Sequence, residues 1–304
     1  MERVSVESID YQDRSFCISY PILHDPLVTS IKQFGILSPL IVLGPAPFRV
    51  VTGFRRLEGA RHLGIGEIPC FIETMNEREA LLLAIHDNLP RPLNVVEKAL
   101  CVEKITNTGL DKAKSEAILK AMGLQFHAKM INLFLALAQS EETTKAFVAR
   151  HNPAAHELGL LFSFPLETRS RLISVLTPIH LTSSLLREMI ELARLLFIKK
   201  GGIPFADVEG LTRGDDVKAV LKREAYPLLT HMEERLKAAK EAMHLPPRIA
   251  ITTDPYFERS SIDIRIAAQN QEEIQDSINK LQSITDSGQI RSIFDLISGD
   301  PTRS

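Results

Sequence analysis

The chain has 304 residues, 44% of them apolar and 24% charged, with a formal net charge of −2, a balance that suits a globular protein of two or three modest domains. Near-neutrality excludes a generally basic coat, so any nucleic-acid contact must be local. No apolar run reaches bilayer-spanning length, and acids among the first ten residues argue against a secretory leader. Cys17, Cys70 and Cys101 share no close spacing, which speaks against a metal knuckle or disulfide framework and for reduced thiols in a cytoplasmic protein.

Residues 1–92 read as mixed α/β. Asp25-Pro26 opens a short helix with a capping acid and then Pro at the first helical position, and Gly35 closes it. Leu40 to Leu43 and Phe48 to Val51 are short, β-branched runs joined by Gly44-Pro-Ala-Pro47, which predicts two paired strands. A helix follows Gly53 and ends near Gly64, and Ile68 to Glu73 makes a third strand. Asn76-Glu-Arg-Glu79 has the capping-box pattern and starts a helix through Leu81, Leu82 and Ile85.

Residues 93–200 carry helical signals almost throughout. Asn94-Val-Val-Glu97 is a second capping box, followed by Leu100, Val102 and Ile105. Two helices, Asp111 to Met122 and His127 to Ala138, flank Gly123-Leu-Gln-Phe, a pattern shared by the helix-turn-helix and by any αα-hairpin. Leu185 to Phe197 is apolar nearly all round, which predicts a buried helix. Residues 201–220, rich in Gly and charge, read as a linker. In residues 221–304, Leu229, Met232, Leu236, Ala239 and Met243 form one helical stripe. Ile249/Ile251 and Ile262/Ile264/Ile266 alternate as two strands, and Asn270-Gln-Glu-Glu273 caps a last helix with Ile274, Ile278, Leu281 and Ile284 inward. Such an α-β-β-α unit has a thin core and two strand edges, so it calls for a second copy to cover its apolar face.

The densest chemistry lies in residues 48–64, where four arginines accompany one glutamate. Thr52-Gly53-Phe54-Arg55-Arg56 sits at a strand-to-helix junction, where first-turn amides and the helix dipole favour an anion. Arg55 and Arg56 can add charge-assisted bonds to it. Further on, Asp87-Asn88 offers hard oxygen ligands of the kind Mg²⁺ takes, and Arg91 a further phosphate contact. On spacing alone, the same residues also describe a plain helix C-terminus running into a Pro-rich turn.

Taken in order, these residues resemble the ParB family, and in particular its N-terminal domain, which is shared with sulfiredoxin. The family's Gly-Glu-Arg-Arg, Glu-Asn-x-Gln-Arg and Asn-Pro-x-Glu-Glu-Ala patterns have counterparts in Gly53-Phe54-Arg55-Arg56, Asp87-Asn88-Leu89-Pro90-Arg91 and Asn94-Val95-Val96-Glu97-Lys98-Ala99. Phe34-Gly35-Ile36-Leu37-Ser38-Pro39-Leu40-Ile41-Val42 looks like the family's "GxLxPxxV" segment. The resemblance implies an α+β chain: a ParB/sulfiredoxin-like nucleotide-binding domain, a helical domain with a helix-turn-helix, and a small C-terminal dimerisation domain. It implies a nucleoside triphosphate, CTP above others, bound with Mg²⁺ by Thr52, Gly53, Arg55, Arg56, Asn88 and Arg91, with Asp87 and Asn88 on the metal side. It also implies DNA as partner, in partition or transcriptional control. Phe54 stands where the family has glutamate and sulfiredoxin its cysteine, which sets sulfiredoxin chemistry aside and leaves weak triphosphatase activity an open question.

Residues 107–150 hold six Lys/Arg against four Asp/Glu, a thin basic footprint. His127, Lys129 and Asn132 are the residues placed to reach a groove, whereas Phe126, Met130, Ile131, Leu133 and Phe134 read as core; a plain packing helix fits the same pattern. Two alternatives to the DNA-binding reading stay open. One is a nucleotide-dependent small-molecule kinase on the same domain. The other is an adaptor that binds a partner protein and neither DNA nor nucleotide.

Overall fold

The structure, a computed structural model, describes residues 1–125 and 127–298. The expectation that Phe126 belongs to the core, and the last residues of the C-terminal stretch 221–304, lie outside the described residues. The chain is α+β and divides into two compact units, Met1–Arg194 with Glu209–Gly214, and Leu195–Val208 with Asp215–Ser304.

In the first unit β1 (Glu2–Ser5), β2 (Ile9–Asp10), α1 (Asp25–Phe34), β3 (Leu40–Leu43), β4 (Phe48–Thr52), α2 (Phe54–His62), β5 (Glu67–Glu73) and α3 (Glu77–Asn88) build a mixed sheet with helices. The strand order is β1-β5-β3-β4-β2. The central strand β3, Leu-Ile-Val-Leu, pairs parallel with β5 and antiparallel with β4, which explains its nearly continuous apolar sequence. Leu40 and Val42 are fully buried there, beside Val50, Val51 and Ile68.

The helical stretch continues with α4 (Val95–Asn107), α5 (Lys112–Ala121), α6 (Ala128–Ala138), α7 (Glu142–His151), α8 (Ala155–Phe162), α9 (Leu166–Leu176) and α10 (Ser183–Lys200). Both expected capping boxes form. The Asn76 side chain accepts from the Glu79 amide and Glu79 from the Asn76 amide, and Asn94 and Glu97 make the same reciprocal pair. Residues 1–92 and 93–194 fall in one compact unit. Polar bonds tie the two stretches together: Lys104 Nζ donates to the carbonyls of Arg14 and Ser15 at 2.8 Å each, and Asn94 Nδ2 donates to that of Tyr20 at 2.7 Å.

Two expectations fail here. The helix over Leu185 to Phe197 is not buried all round. Leu186, Met189, Ile190, Ala193 and Leu196 form a buried stripe at helical spacing, while Arg187 and Glu191 are exposed. The supposed linker 201–220 contains α11 (Phe205–Val208) and most of α12 (Gly214–Ala225), because Phe205, Val208, Val217 and Leu221 are buried and outweigh the Gly and charge signals.

The second unit adds α13 (Pro227–Ala242), β6 (Ile249–Thr253), β7 (Ile262–Ile266), α14 (Gln271–Asp286) and α15 (Gln289–Ile297). β6 and β7 pair antiparallel, with Ile251 opposite Ile264. The core gathers Leu236, Met243, Ile251, Ile284, Ile293 and Ile297. The last of these belong to a helix that the sequence reading missed. Gly288, at φ 77°, ends α14 and caps α15, and Ile290, Ile293, Phe294 and Ile297 carry the helical spacing that would have revealed it. Ile274 and Ile278 do not point inward: they are 46% and 45% exposed. No helix among the described residues is long and apolar enough to cross a membrane.

Candidate functional site

β4 hands over to α2 at Gly53, which adopts φ 97°, a left-handed conformation that favours glycine. A Cβ there would stand 2.7 Å from Leu40 Cγ, with the Arg56 guanidinium just beyond. The glycine is required by the chain's own packing. Thr52, before it, is 2% exposed, and Phe54, after it, is 4% exposed. An apolar, buried side chain therefore opens α2 directly after Gly53.

The arginine cluster splits in two. Arg49 turns to Asp13 and Glu77, and Arg61 stacks 3.7 Å over Tyr11 and pairs with Glu58. Arg55 and Arg56 face a cleft. Arg56 Nη1 donates to the carbonyls of Ser38 and Pro39 at 2.7 Å each. Arg55 donates through Nε to Pro21 O and through Nη2 to Tyr20 O, both at 3.2 Å, and through Nη2 to Glu97 Oε1 at 3.0 Å.

Glu97 is the residue that sequence reasoning missed, because its capping-box role already accounted for it. Glu58, the one glutamate within residues 48–64, faces Arg14 and Arg61. The Glu97 side chain is 1% exposed and accepts from Arg55 and also from Arg91, whose Nη1 and Nη2 reach it at 2.8 and 2.6 Å. Arg91 further donates to Asn88 Oδ1 from Nε at 3.2 Å and from Nη2 at 2.8 Å.

Thr52, Gly53, Arg55, Arg56, Asp87, Asn88 and Arg91, all singled out in the sequence, line one cleft of about 780 Å³ between α1, α2 and the end of α3. Ile36, Leu37, Ile41 and Phe71 make its apolar wall. Burial pulls the Arg55 and Arg56 guanidinium groups below their ordinary values, opposed by Glu97 and Asp87 respectively, though arginine stays charged at neutral pH. Among the described residues no cluster of three or more His, Cys, Asp or Glu could hold a metal by itself. Asn88 spends Oδ1 on Arg91 and donates Nδ2 to Ala84 O, so Asp87 is the carboxylate that lines the cleft. The donor set fits a Mg²⁺ ion held chiefly by phosphate oxygens and one carboxylate, with Asn88 not among its ligands in this arrangement.

The second candidate surface is α6, which packs against α4. His127, Lys129 and Asn132 are exposed on it, while Phe134 is buried and Met130, Ile131 and Leu133 are half-buried. His127 Nδ1 accepts from the Met130 amide, so its ring is the helix N-cap. On α5, Lys112 and Lys114 pair with Glu116 and Asp111, which thins the positive field.

Residues 1–89 match the family model described as the ParB N-terminal domain. A probable plasmid-partitioning protein ParB from Thermus thermophilus is 28% identical over 236 residues, 73% of this chain and 77% of that protein. A probable chromosome-partitioning protein ParB from Vibrio cholerae is 31% identical over 86 residues, 27% of this chain and 29% of that protein. The chain thus spans most of the first relative and under a third of the second. A solved structure of the C-terminally truncated chromosome-partitioning protein ParB from Caulobacter crescentus, complexed with CTP-γ-S, covers 68% of this chain and 96% of that one at 20% identity and a TM-score of 0.25.

Proposed function

We propose, for a chain whose residues 1–89 match the ParB N-terminal domain, that it is a nucleotide-responsive DNA-binding protein acting in the cytoplasm in partition or transcriptional control. The carrying observation is the convergence of Gly53, Arg55, Arg56, Asp87 and Arg91, distant in sequence, on one cleft beside the start of α2. Helix-terminal amides and three guanidinium groups suit a triphosphate. CTP is favoured by the motif resemblance. Mg²⁺ would neutralise phosphate charge from the Asp87 side. Buried Phe54, with Asp87 the one carboxylate in the lining among the described residues, supports binding rather than rapid turnover.

DNA would lie along α6, with Lys129 on a phosphate and His127 and Asn132 toward the groove. Residues 221–304 would join two copies through the half-exposed isoleucines. Calorimetry on the full chain, with Mg²⁺ and each nucleoside triphosphate, with and without mixed-sequence duplex, tests the reading. The expected result is saturable Mg²⁺-dependent binding led by CTP. No heat at about 1 mM nucleotide, corresponding to roughly −4 kcal/mol or weaker, would remove the nucleotide. For DNA, Lys129→Ala should flatten the slope of log K against log salt by about 0.9; an unchanged slope would take α6 off the interface.

A further inference from the structure

We propose that Glu97 is a built-in stand-in for a phosphate: it holds Arg55 and Arg91, and a polyphosphate entering the cleft takes both arginines and releases a strap, residues 19–23, at Tyr20 and Pro21. The proposal rests on the anion-binding reading of the cleft. Its ground is the ligation of this one carboxylate. Oε1 accepts from Tyr20 N–H at 3.2 Å, Arg55 Nη2 at 3.0 Å and Arg91 Nη2 at 2.6 Å, and Oε2 from Arg91 Nη1 at 2.8 Å and Asn94 N–H at 3.1 Å. Converging backbone amides and paired guanidinium groups are what a phosphate oxygen seeks.

The charges do not balance. Two guanidinium groups face one carboxylate; burial pulls Arg55 down, and the Arg91 charge adds to that against the opposing pull of Glu97. Both side chains also line the cleft, so an anion with more charge and more oxygens can outbid Glu97 without either arginine leaving its helix end. Arg55 is at the same time the principal clasp on the strap, holding the Tyr20 and Pro21 carbonyls. Turning Arg55 to a phosphate leaves the Tyr20 carbonyl with Asn94 alone.

The strap has room to respond. Its other side faces a second cleft of about 560 Å³ that includes Tyr20, Pro21, Lys104 and Glu142 in its lining. Across it the Tyr20 hydroxyl donates to Glu142 Oε1 on α7 at 2.7 Å. Occupancy of the first cleft is therefore wired, through one tyrosine, to the helical stretch that carries α6 and α7.

The test compares wild type, Glu97→Gln and Arg56→Ala, each titrated with Mg-CTP and with inorganic tripolyphosphate. Glu97→Gln keeps the side-chain shape while removing the competing charge. If the latch leaves the arginines free about a tenth of the time, this variant should bind tripolyphosphate about tenfold tighter, whereas Arg56→Ala, outside the latch, should bind it more weakly. Equal or weaker binding by Glu97→Gln overturns the proposal. Tripolyphosphate binding that tightens in Glu97→Gln while CTP binds neither it nor wild type keeps the latch and rejects the nucleotide; silence with both ligands in wild type and Glu97→Gln rejects both. Hydrogen exchange of wild type alone gives the second measurement: tripolyphosphate should speed exchange in residues 19–23, and unchanged or slower exchange there also overturns it.

Discussion

In the first unit the Glu97 carboxylate, 1% exposed, answers Arg55 and Arg91 within hydrogen-bond distance, so these two arginines share a counter-ion inside the same chain. In the second unit Ile264, Ile274 and Ile278 are 41%, 46% and 45% exposed, although Ile264 lies opposite the buried Ile251 in the sheet register. One region answers its buried carboxylate from within; the other leaves apolar side chains exposed among the described residues. Electrostatic partners were found within a single copy because a buried carboxylate without them is untenable, whereas an apolar face can wait for a second copy at modest cost. Substitutions in the first unit should therefore act on folding and ligand affinity, and those in the second on assembly.

The largest effect belongs to Glu97→Ala. It strands two partly buried guanidinium groups and removes the capping-box partner of Asn94, so urea denaturation should show a loss of about 3–5 kcal/mol. A loss below about 1 kcal/mol, the scale of an exposed ion pair, would mean that the network is solvent-screened and the contrast between the units is weaker than drawn.

Arg56→Ala comes next. Its guanidinium lines the cleft without touching Glu97 but holds the Ser38 and Pro39 carbonyls, so stability should fall by less than in Glu97→Ala, while triphosphate affinity should fall at least about tenfold, the equivalent of roughly 1.5–3 kcal/mol for a charge-assisted bond. Gly53→Ala separates packing from ligand binding. Its φ of 97° and the 2.7 Å approach to fully buried Leu40 should cost about 1–3 kcal/mol of stability. Gly44→Ala, at φ 79° with nothing within 4 Å of the added Cβ, should cost only the backbone term of about 1 kcal/mol. Equal losses at the two glycines would show that Leu40 yields.

Ile264→Asp sharpens the other half of the comparison. A half-exposed position tolerates a charge in the single chain, so its denaturation midpoint should move by less than about 1 kcal/mol. On the proposed pairing of two copies, light scattering should report dimers for wild type and monomers for the variant, because a carboxylate cannot be buried unpartnered in an interface. A variant that stays dimeric moves the interface elsewhere.

What the sequence disclosed follows the range of the interactions. Both capping boxes, the strand-Gly-helix junction at Gly53 and the convergence of Arg56, Asp87 and Arg91 rest on local patterns or on a family motif, and they were legible. Glu97 as counter-ion was not: its partners Tyr20, Arg55 and Arg91 come from three other segments, and its capping role already explained it. The outward turn of Ile274 and Ile278 was hidden for a related reason, since a helical stripe broad enough to pack on two sides gives no sign of which side the same chain covers. α15 was overlooked because Gly288 reads as a terminator, and the same left-handed residue serves as the next helix's cap.

The smallest effect concerns the thiols, all three of which lie in the first unit, while residues 195–304 contain no cysteine. Burial pushes Cys70 up to about 11 and Cys101 up to about 12, and raises Cys17 as well. A thiol whose folded value is raised adds stability that is fully present below its unfolded value, near 8.5, and is lost as pH climbs through the folded value. Stability should therefore decline gently above about pH 8.5, and Cys101→Ala should flatten that decline. Because the thiolate is the reactive form, a thiol reagent at about pH 8 should label the native chain slowly and all three cysteines at once after unfolding. Labelling then follows the opening of the first unit alone. Its rate should rise strongly in Glu97→Ala and stay at the wild-type value in Ile264→Asp; a rise in the latter would mean that the two units do not open independently.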